Sequence, residues 1–91
     1  MTNFTYSKDL PDNLDLGKIV AVDCETMGLN PGRDRLCVVQ LSSGDGHTHI
    51  VQIEKNQTKA HNLERLLQDE NILKLFHFGR FDIAILYSTF G

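Results

Sequence analysis

Apolar residues lie in short runs along the chain, and turn-forming residues separate these runs. Residues 19–22 form a continuous run rich in β-branched side chains, which is typical of a strand buried on both faces of a sheet. Residues 36–41 predict a second strand, and residues 48–53 alternate between apolar and polar side chains as a third. Because the turns between them are short, we expect a three-stranded antiparallel meander.

Helical spacing replaces strand alternation in the second half of the chain. Leucines recur at helical spacing within residues 62–67, and Asn62 is the candidate N-cap of that helix. Residues 73–78 predict a fourth strand. Residues 80–90 predict a second, nearly all-round apolar helix, with Gly91 in the C-cap position.

The resulting order of elements, β-β-β-α-β-α, indicates an α/β fold in which helices pack on a mixed sheet. Residues 1–17 show no periodicity and contain Pro11, so they predict an irregular N-terminal arm. Residues 18–91 form the predicted domain. Since the chain stops after a helix while a sheet edge is still open, we expect it to be the N-terminal part of a larger domain, truncated as it stands.

Composition fits one small globular domain and excludes the disordered class. The chain has 91 residues, 41% of them apolar, and a net charge of −3. No apolar run approaches the ~20 residues of a membrane span, and the polar N-terminus predicts no signal peptide. Cys24 and Cys37 lie in apolar runs, so we expect reduced core cysteines in a cytoplasmic protein.

The net negative charge argues against a protein that holds long nucleic acid by bulk charge alone. It leaves open an enzyme that reaches phosphate groups through bound metal. His47 and His49 share one face of the third strand, and we interpret them as surface residues rather than zinc ligands, because no further Cys or His ligands surround them.

Asp23 and Glu25 are the first candidates for chemistry. Residues two apart on a strand point to the same face, so both carboxylates leave the end of the first predicted strand together. They repel each other unless a cation neutralises them, and a hard ion such as Mg²⁺ fits that need. The alternative is an ordinary solvated turn, where such pairs are common.

Asp82 is the third candidate, because it lies among apolar residues of the second predicted helix. A carboxylate in such surroundings is costly unless it is paired, hydrogen-bonded or bound to metal. The alternative is an acidic residue that complements the helix dipole, with Arg80 beside it as a partner.

These residues and their settings resemble the first two motifs of the DEDD superfamily of 3′–5′ exonucleases. The first motif is Asp-x-Glu at the end of a strand, here IVAVDCETMGLNP. The second is an Asp that follows an apolar strand, a His and a Phe, here LFHFGRFDIAIL. The segment RLCVVQLSSGDG resembles the ribonuclease D branch. Taken together, this segment and the second motif are most similar to the short nanoRNase C, or oligoribonuclease-type, branch.

The resemblance implies a ribonuclease H-like fold and a two-metal 3′–5′ exonuclease that releases nucleoside 5′-monophosphates from RNA or short oligoribonucleotides, with DNA as a further substrate class. Asp23, Glu25 and Asp82 would be the catalytic residues and would bind two Mg²⁺ or Mn²⁺ ions. The nanoRNase C likeness also implies a homo-oligomer. The resemblance further implies four substrate-binding candidates: Met27, Gly28, Leu29 and His77. Leu29 and His77 have alternative readings, as a turn-anchoring leucine and as a strand-end histidine.

One family feature is absent from this sequence. The family's third motif supplies another Asp, preceded by a Tyr or His that orients the attacking water, and too few residues follow Asp82 to contain it. We therefore expect the 91-residue chain to be inactive or very weak on its own. The alternatives are a catalytically inactive remnant and a module that binds metal or nucleic acid.

Overall fold

The computed structural model describes residues 2–26, 35–76 and 79–91, with the side chains of residues 79–81 left out of the description. Within these ranges the chain forms five strands and two helices. In chain order they are β1 Thr2–Ser7, β2 Ile19–Thr26, β3 Leu36–Ser42, β4 His47–Gln52, α1 His61–Gln68, β5 Leu73–Phe76 and α2 Gly79–Phe90.

The strands form one mixed sheet in the order β1-β4-β3-β2-β5. Strands β2, β3 and β4 pair as the predicted antiparallel meander, which is confirmed. Strand β5 lies parallel to β2, and β1 lies parallel to β4. The predicted α/β class is therefore confirmed, with one strand more than expected.

The prediction of an irregular arm is wrong for Thr2–Ser7, which pair with β4 along their whole length. Most of this strand is exposed, so its sequence lacks the strong apolar alternation of a half-buried strand. Phe4 and Tyr6 carry the weak signal, since two aromatic residues two positions apart among threonines favour an edge strand.

Both helices contribute to a core on one face of the sheet. Every second residue of β2 is buried, and the residues between them are exposed. Leu63 of α1 and Ile85 of α2 join the same buried cluster as Val20 and Val22. The prediction that β2 is buried on both faces is wrong for this chain, because the described residues cover only one face.

Helix α1 begins two residues earlier than expected, at His61, and Asn62 is not its N-cap. The N-cap is Ala60, whose side chain caps nothing. The cap is supplied by Asp9, whose carboxylate oxygens accept hydrogen bonds from the backbone N–H groups of Asn62 (2.9 Å) and Leu63 (2.8 Å). These are the N2 and N3 amides that a local cap residue normally satisfies.

Helix α2 ends as predicted. Gly91 has a positive φ of 85°, and its N–H donates to the carbonyl of Tyr87 at 2.8 Å.

None of the helices in the described part of the chain is long and apolar enough to span a membrane. Both cysteines are free: Cys24 is buried and Cys37 is half-buried.

Candidate functional site

The candidate site lies at the carboxyl end of β2. Asp23 and Glu25 occupy alternate exposed positions of this strand, so both carboxylates project from the face opposite the core. Gln40 of β3 lies directly across from Asp23. The pairing of β2 with β3 shifts register between Glu25 and Thr26. Such an irregularity bends a strand and re-aims its side chains, and it is common next to functional sites.

Asp82, the third candidate acid, lies on helix α2. It lies in the first turn of α2 and is only 1% exposed. Further along α2, Ile85 and Leu86 pack into the hydrophobic core. Asp82 is therefore a buried acid of the helix layer, whereas Asp23 and Glu25 are exposed acids of β2.

Cys24 lies between Asp23 and Glu25 in the sequence, and the pKa of its thiol depends on nearby acids. Its side chain points into the core, and the pKa of its thiol is raised to about 12, first by burial and then by the negative charges of Asp82 and Asp23. The charges of Asp82 and Asp23 therefore both contribute to the electrostatics at this strand. A thiol with such a pKa remains protonated and unreactive at neutral pH.

The three acids do not form one metal-binding group in the described part of the chain. No set of three or more His, Cys, Asp or Glu residues there is positioned to hold an ion. The pair Asp23 and Glu25 nevertheless fits a magnesium ion, because Mg²⁺ is commonly bound through one or two carboxylates and completes its shell with water and phosphate oxygens. The donor chemistry therefore fits at these two positions.

The four predicted substrate-binding residues lie outside the described residues. They are Met27, Gly28, Leu29 and His77. Their assignment stays a prediction.

The structure groups His49 with aromatic side chains that the sequence pattern did not connect to it. The His49 ring contacts the rings of Phe4 (centroids 5.1 Å apart) and Tyr6 (5.9 Å), and the Tyr6 hydroxyl is hydrogen-bonded to its Nδ1 at 2.9 Å. The prediction of a surface residue is therefore wrong for His49, which is 7% exposed. The reason is β1, which covers this end of β4.

Comparison with known proteins decides the family. The family described as 3′-5′ exonuclease matches residues 2–91, which is nearly the whole chain. The chain belongs to this 3′–5′ exonuclease family. A comparison with curated proteins gives no match.

Solved structures agree with this assignment. The chain is 56% identical to Brucella melitensis NrnC with bound Mg²⁺, with a TM-score of 0.94. The match covers 100% of this chain and 46% of the NrnC chain. It has the same identity to Brucella melitensis NrnC bound to pGG, with a TM-score of 0.93 and 45% of that chain covered. The predicted likeness to the nanoRNase C branch is confirmed.

A more distant structure supports the wider branch. The chain is 25% identical to Escherichia coli RNase D, an exoribonuclease involved in structured RNA processing, with a TM-score of 0.63. That match covers 81% of this chain and 19% of the other. The predicted ribonuclease H-like exonuclease fold is confirmed, and the chain spans less than half the length of each of these relatives.

Proposed function

We propose that this exonuclease domain acts on RNA, and preferentially on very short oligoribonucleotides, by hydrolysing the 3′-terminal phosphodiester to nucleoside 5′-monophosphates. The observation that carries the proposal is the exposed carboxylate pair of Asp23 and Glu25, in a chain whose backbone matches magnesium-bound NrnC with a TM-score of 0.94. DNA is the alternative substrate class.

In this proposal Asp23, Glu25 and Asp82 are the catalytic carboxylates that hold two Mg²⁺ or Mn²⁺ ions. When bound, the ions supply charge neutralisation at the phosphodiester and a more acidic attacking water. Asp23 and Glu25 supply oxygen ligands from a pleated strand, which holds their spacing fixed. Asp82 would supply the third carboxylate from the first turn of α2, and its negative charge contributes to the raised pKa of the Cys24 thiol.

The size of the substrate follows from charge and from the relatives. The chain carries a net charge of −3, which disfavours long-range attraction of a polyanion. A dinucleotide carries few phosphates and depends more on local contacts than on a long basic surface. NrnC has been seen with the dinucleotide pGG, and we extend that ligand class, and a homo-oligomeric assembly, to this chain as part of the proposal.

The isolated chain should turn over such substrates weakly or not at all. It spans 46% of magnesium-bound NrnC, and three carboxylates are the ligands that its own candidate residues offer. A module that binds metal without catalysis is the second candidate, favoured by the exposure of the Asp23 and Glu25 carboxylates on one face of β2.

A chimera tests the proposal. The chain replaces the matching part of Brucella melitensis NrnC, and the hydrolysis of pGG and of a longer RNA is followed with Mg²⁺. We expect cleavage of pGG from its 3′ end and a loss of at least about 100-fold in Asp23→Asn or Glu25→Gln. Glu70→Gln, at an exposed acid of the loop before β5, is the matched control and should keep full activity.

Two outcomes would contradict the proposal. Equal rates on pGG and long RNA would favour a general RNA-trimming enzyme. An intact, folded chimera that binds Mg²⁺ and hydrolyses neither RNA nor DNA would favour the metal-binding module. Strong hydrolysis by the isolated 91-residue chain, lost in Asp23→Ala, would disprove the separate expectation that this chain alone is inactive or weak.

A further inference from the structure

Gln40 of β3 is the polar neighbour of the candidate carboxylate pair. In the antiparallel pairing of β2 with β3, Gln40 lies directly opposite Asp23, and Val38 lies opposite Glu25. Residues that face each other across two antiparallel strands point to the same side of the sheet, and their Cβ atoms are about 4.5–5.5 Å apart. The amide of Gln40 can therefore reach the Asp23 carboxylate by a change of side-chain rotamer alone.

The surroundings of Gln40 leave Asp23 as its partner for a hydrogen bond. On the other side of Gln40, the directly paired residue is Ile50 of β4, whose side chain accepts no hydrogen bond. Ser42, two residues further along β3, donates its hydroxyl to the carbonyl of His47 at 3.1 Å. Gln40 is half-buried, and its amide has no hydrogen-bond partner within the part of the chain that the structure describes. Its two N–H donors are thus available to Asp23.

A neutral donor suits this position better than a charged one. A lysine or arginine beside Asp23 would neutralise the carboxylate and compete with a divalent cation for it. An amide N–H donates a hydrogen bond without adding a charge, so the carboxylate remains able to bind Mg²⁺. Carboxylates that ligate metal ions are commonly hydrogen-bonded to such outer partners, which fix the orientation of the ligand.

We propose that Gln40 is a positioning residue of the candidate site: its side-chain N–H donates to one carboxylate oxygen of Asp23 and holds the other oxygen toward the metal. This inference rests on the proposed function, which gives Asp23 a metal to bind. It does not depend on the substrate, because metal affinity is measured without RNA. Glu25 faces the apolar side chain of Val38, so Gln40 acts on one carboxylate of the pair.

A titration with Mn²⁺, followed by electron paramagnetic resonance, tests the proposal in the 91-residue chain and in the NrnC chimera. Gln40→Met keeps an unbranched side chain of similar length and removes both amide donors. We expect it to weaken Mn²⁺ binding about tenfold. Gln52→Met is the matched control, because Gln52 lies on the same face but pairs with Val38 from β4, one strand further from β2. It should change the affinity less than about twofold.

The activity of the chimera separates positioning from a merely structural role. In Gln40→Met, the Mg²⁺ concentration for half-maximal hydrolysis of pGG should rise about tenfold, while kcat at saturating Mg²⁺ falls less than about threefold. The midpoint of urea unfolding should not change, since the Gln40 amide has no partner in the described part of the metal-free chain. A lower midpoint with an unchanged Mg²⁺ requirement would show that Gln40 is structural and would overturn the proposal.

Nuclear magnetic resonance of the isotope-labelled chain and chimera observes the hydrogen bond itself. Mg²⁺ should shift one of the two side-chain N–H signals of Gln40 downfield and slow its exchange with water, and Asp23→Asn should abolish both effects. Gln40 signals that Mg²⁺ leaves unchanged in both proteins would overturn the proposal, as would equal losses of Mn²⁺ affinity in Gln40→Met and Gln52→Met. A chimera that hydrolyses no nucleic acid but loses Mn²⁺ affinity in Gln40→Met would refute the proposed function and support the positioning role.

Discussion

Replacing Asp9 with alanine should destabilise this chain more than the loss of an ordinary surface acid. The two oxygens of Asp9 accept hydrogen bonds from the backbone N–H groups of Leu10, Asn62 and Leu63, at 2.8, 2.9 and 2.8 Å. Two of these donors belong to the first turn of α1, whose own N-cap residue, Ala60, offers no side-chain acceptor. Asp9 therefore caps a helix that begins about fifty residues later in the chain.

The expected loss of stability follows from the number of backbone N–H groups that lose their hydrogen-bond acceptor in Asp9→Ala. Loss of a helix N-cap costs about 0.5–2 kcal/mol, and a hydrogen bond to a charged group contributes about 1.5–3 kcal/mol. Asp9 is half-buried, so water can solvate part of the released first turn. We therefore expect Asp9→Ala to lower the free energy of unfolding by about 2–3 kcal/mol. Asp9→Asn keeps one acceptor oxygen and should cost about 1 kcal/mol.

Urea unfolding followed by far-UV circular dichroism measures this loss, and a thermal melt should fall by roughly 10 °C. Asp12→Ala is the matched control: Asp12 lies three residues away and accepts one exposed hydrogen bond from the Asn62 side chain, so its loss should cost less than about 0.5 kcal/mol. Hydrogen exchange should accelerate at the amides of Asn62 and Leu63. The reasoning fails if Asp9→Ala and Asp12→Ala cost the same, or if these two amides keep their protection.

Two further predictions concern the histidine cluster and the cysteines. Tyr6→Phe removes the hydroxyl bound to His49 Nδ1 and should cost about 1 kcal/mol in urea unfolding, whereas Tyr87→Phe, at an exposed position, should cost almost nothing; equal losses would refute the cluster's role. At pH 8, a thiol reagent should modify half-buried Cys37 much faster than Cys24, because burial and nearby acids raise the pKa of the Cys24 thiol to about 12. Comparable rates in the folded chain would contradict this placement.

The elements that the sequence predicts well are those whose signal lies within their own residues. The meander and α1 follow from periodicity of 2 and 3.6, and Gly91 ends α2 with the positive φ that favours glycine. The features that were missed depend on distant residues. Strand β1 is held by β4, and the cap on α1 comes from Asp9, so neither can be recognised from a local window of sequence.

The candidate site also combines a feature that depends on local sequence with one that depends on distant residues. The common direction of Asp23 and Glu25 is a local property of a strand, and it was predicted from their spacing alone. The position of Asp82 depends on which face of the sheet α2 covers, and this is decided by packing across the whole core. Its spacing in sequence therefore carries no information about which side of β2 it approaches.

The burial pattern of β2 connects the site to the uncovered face. An apolar run that would suit two buried faces has only one cover here, and the two acids on its uncovered side share that surface with Ile19. A carboxylate pair on an open sheet faces bulk water, which screens its charge and weakens its hold on a cation. Excluding water from the two carboxylates would lower the local dielectric and strengthen their interaction with a bound divalent ion. The NrnC chimera adds more than an equal length of polypeptide to this chain, so Mg²⁺ should bind the chimera more tightly than the isolated chain. Equal affinities in a titration calorimeter would show that the carboxylate pair binds the ion independently of the added polypeptide.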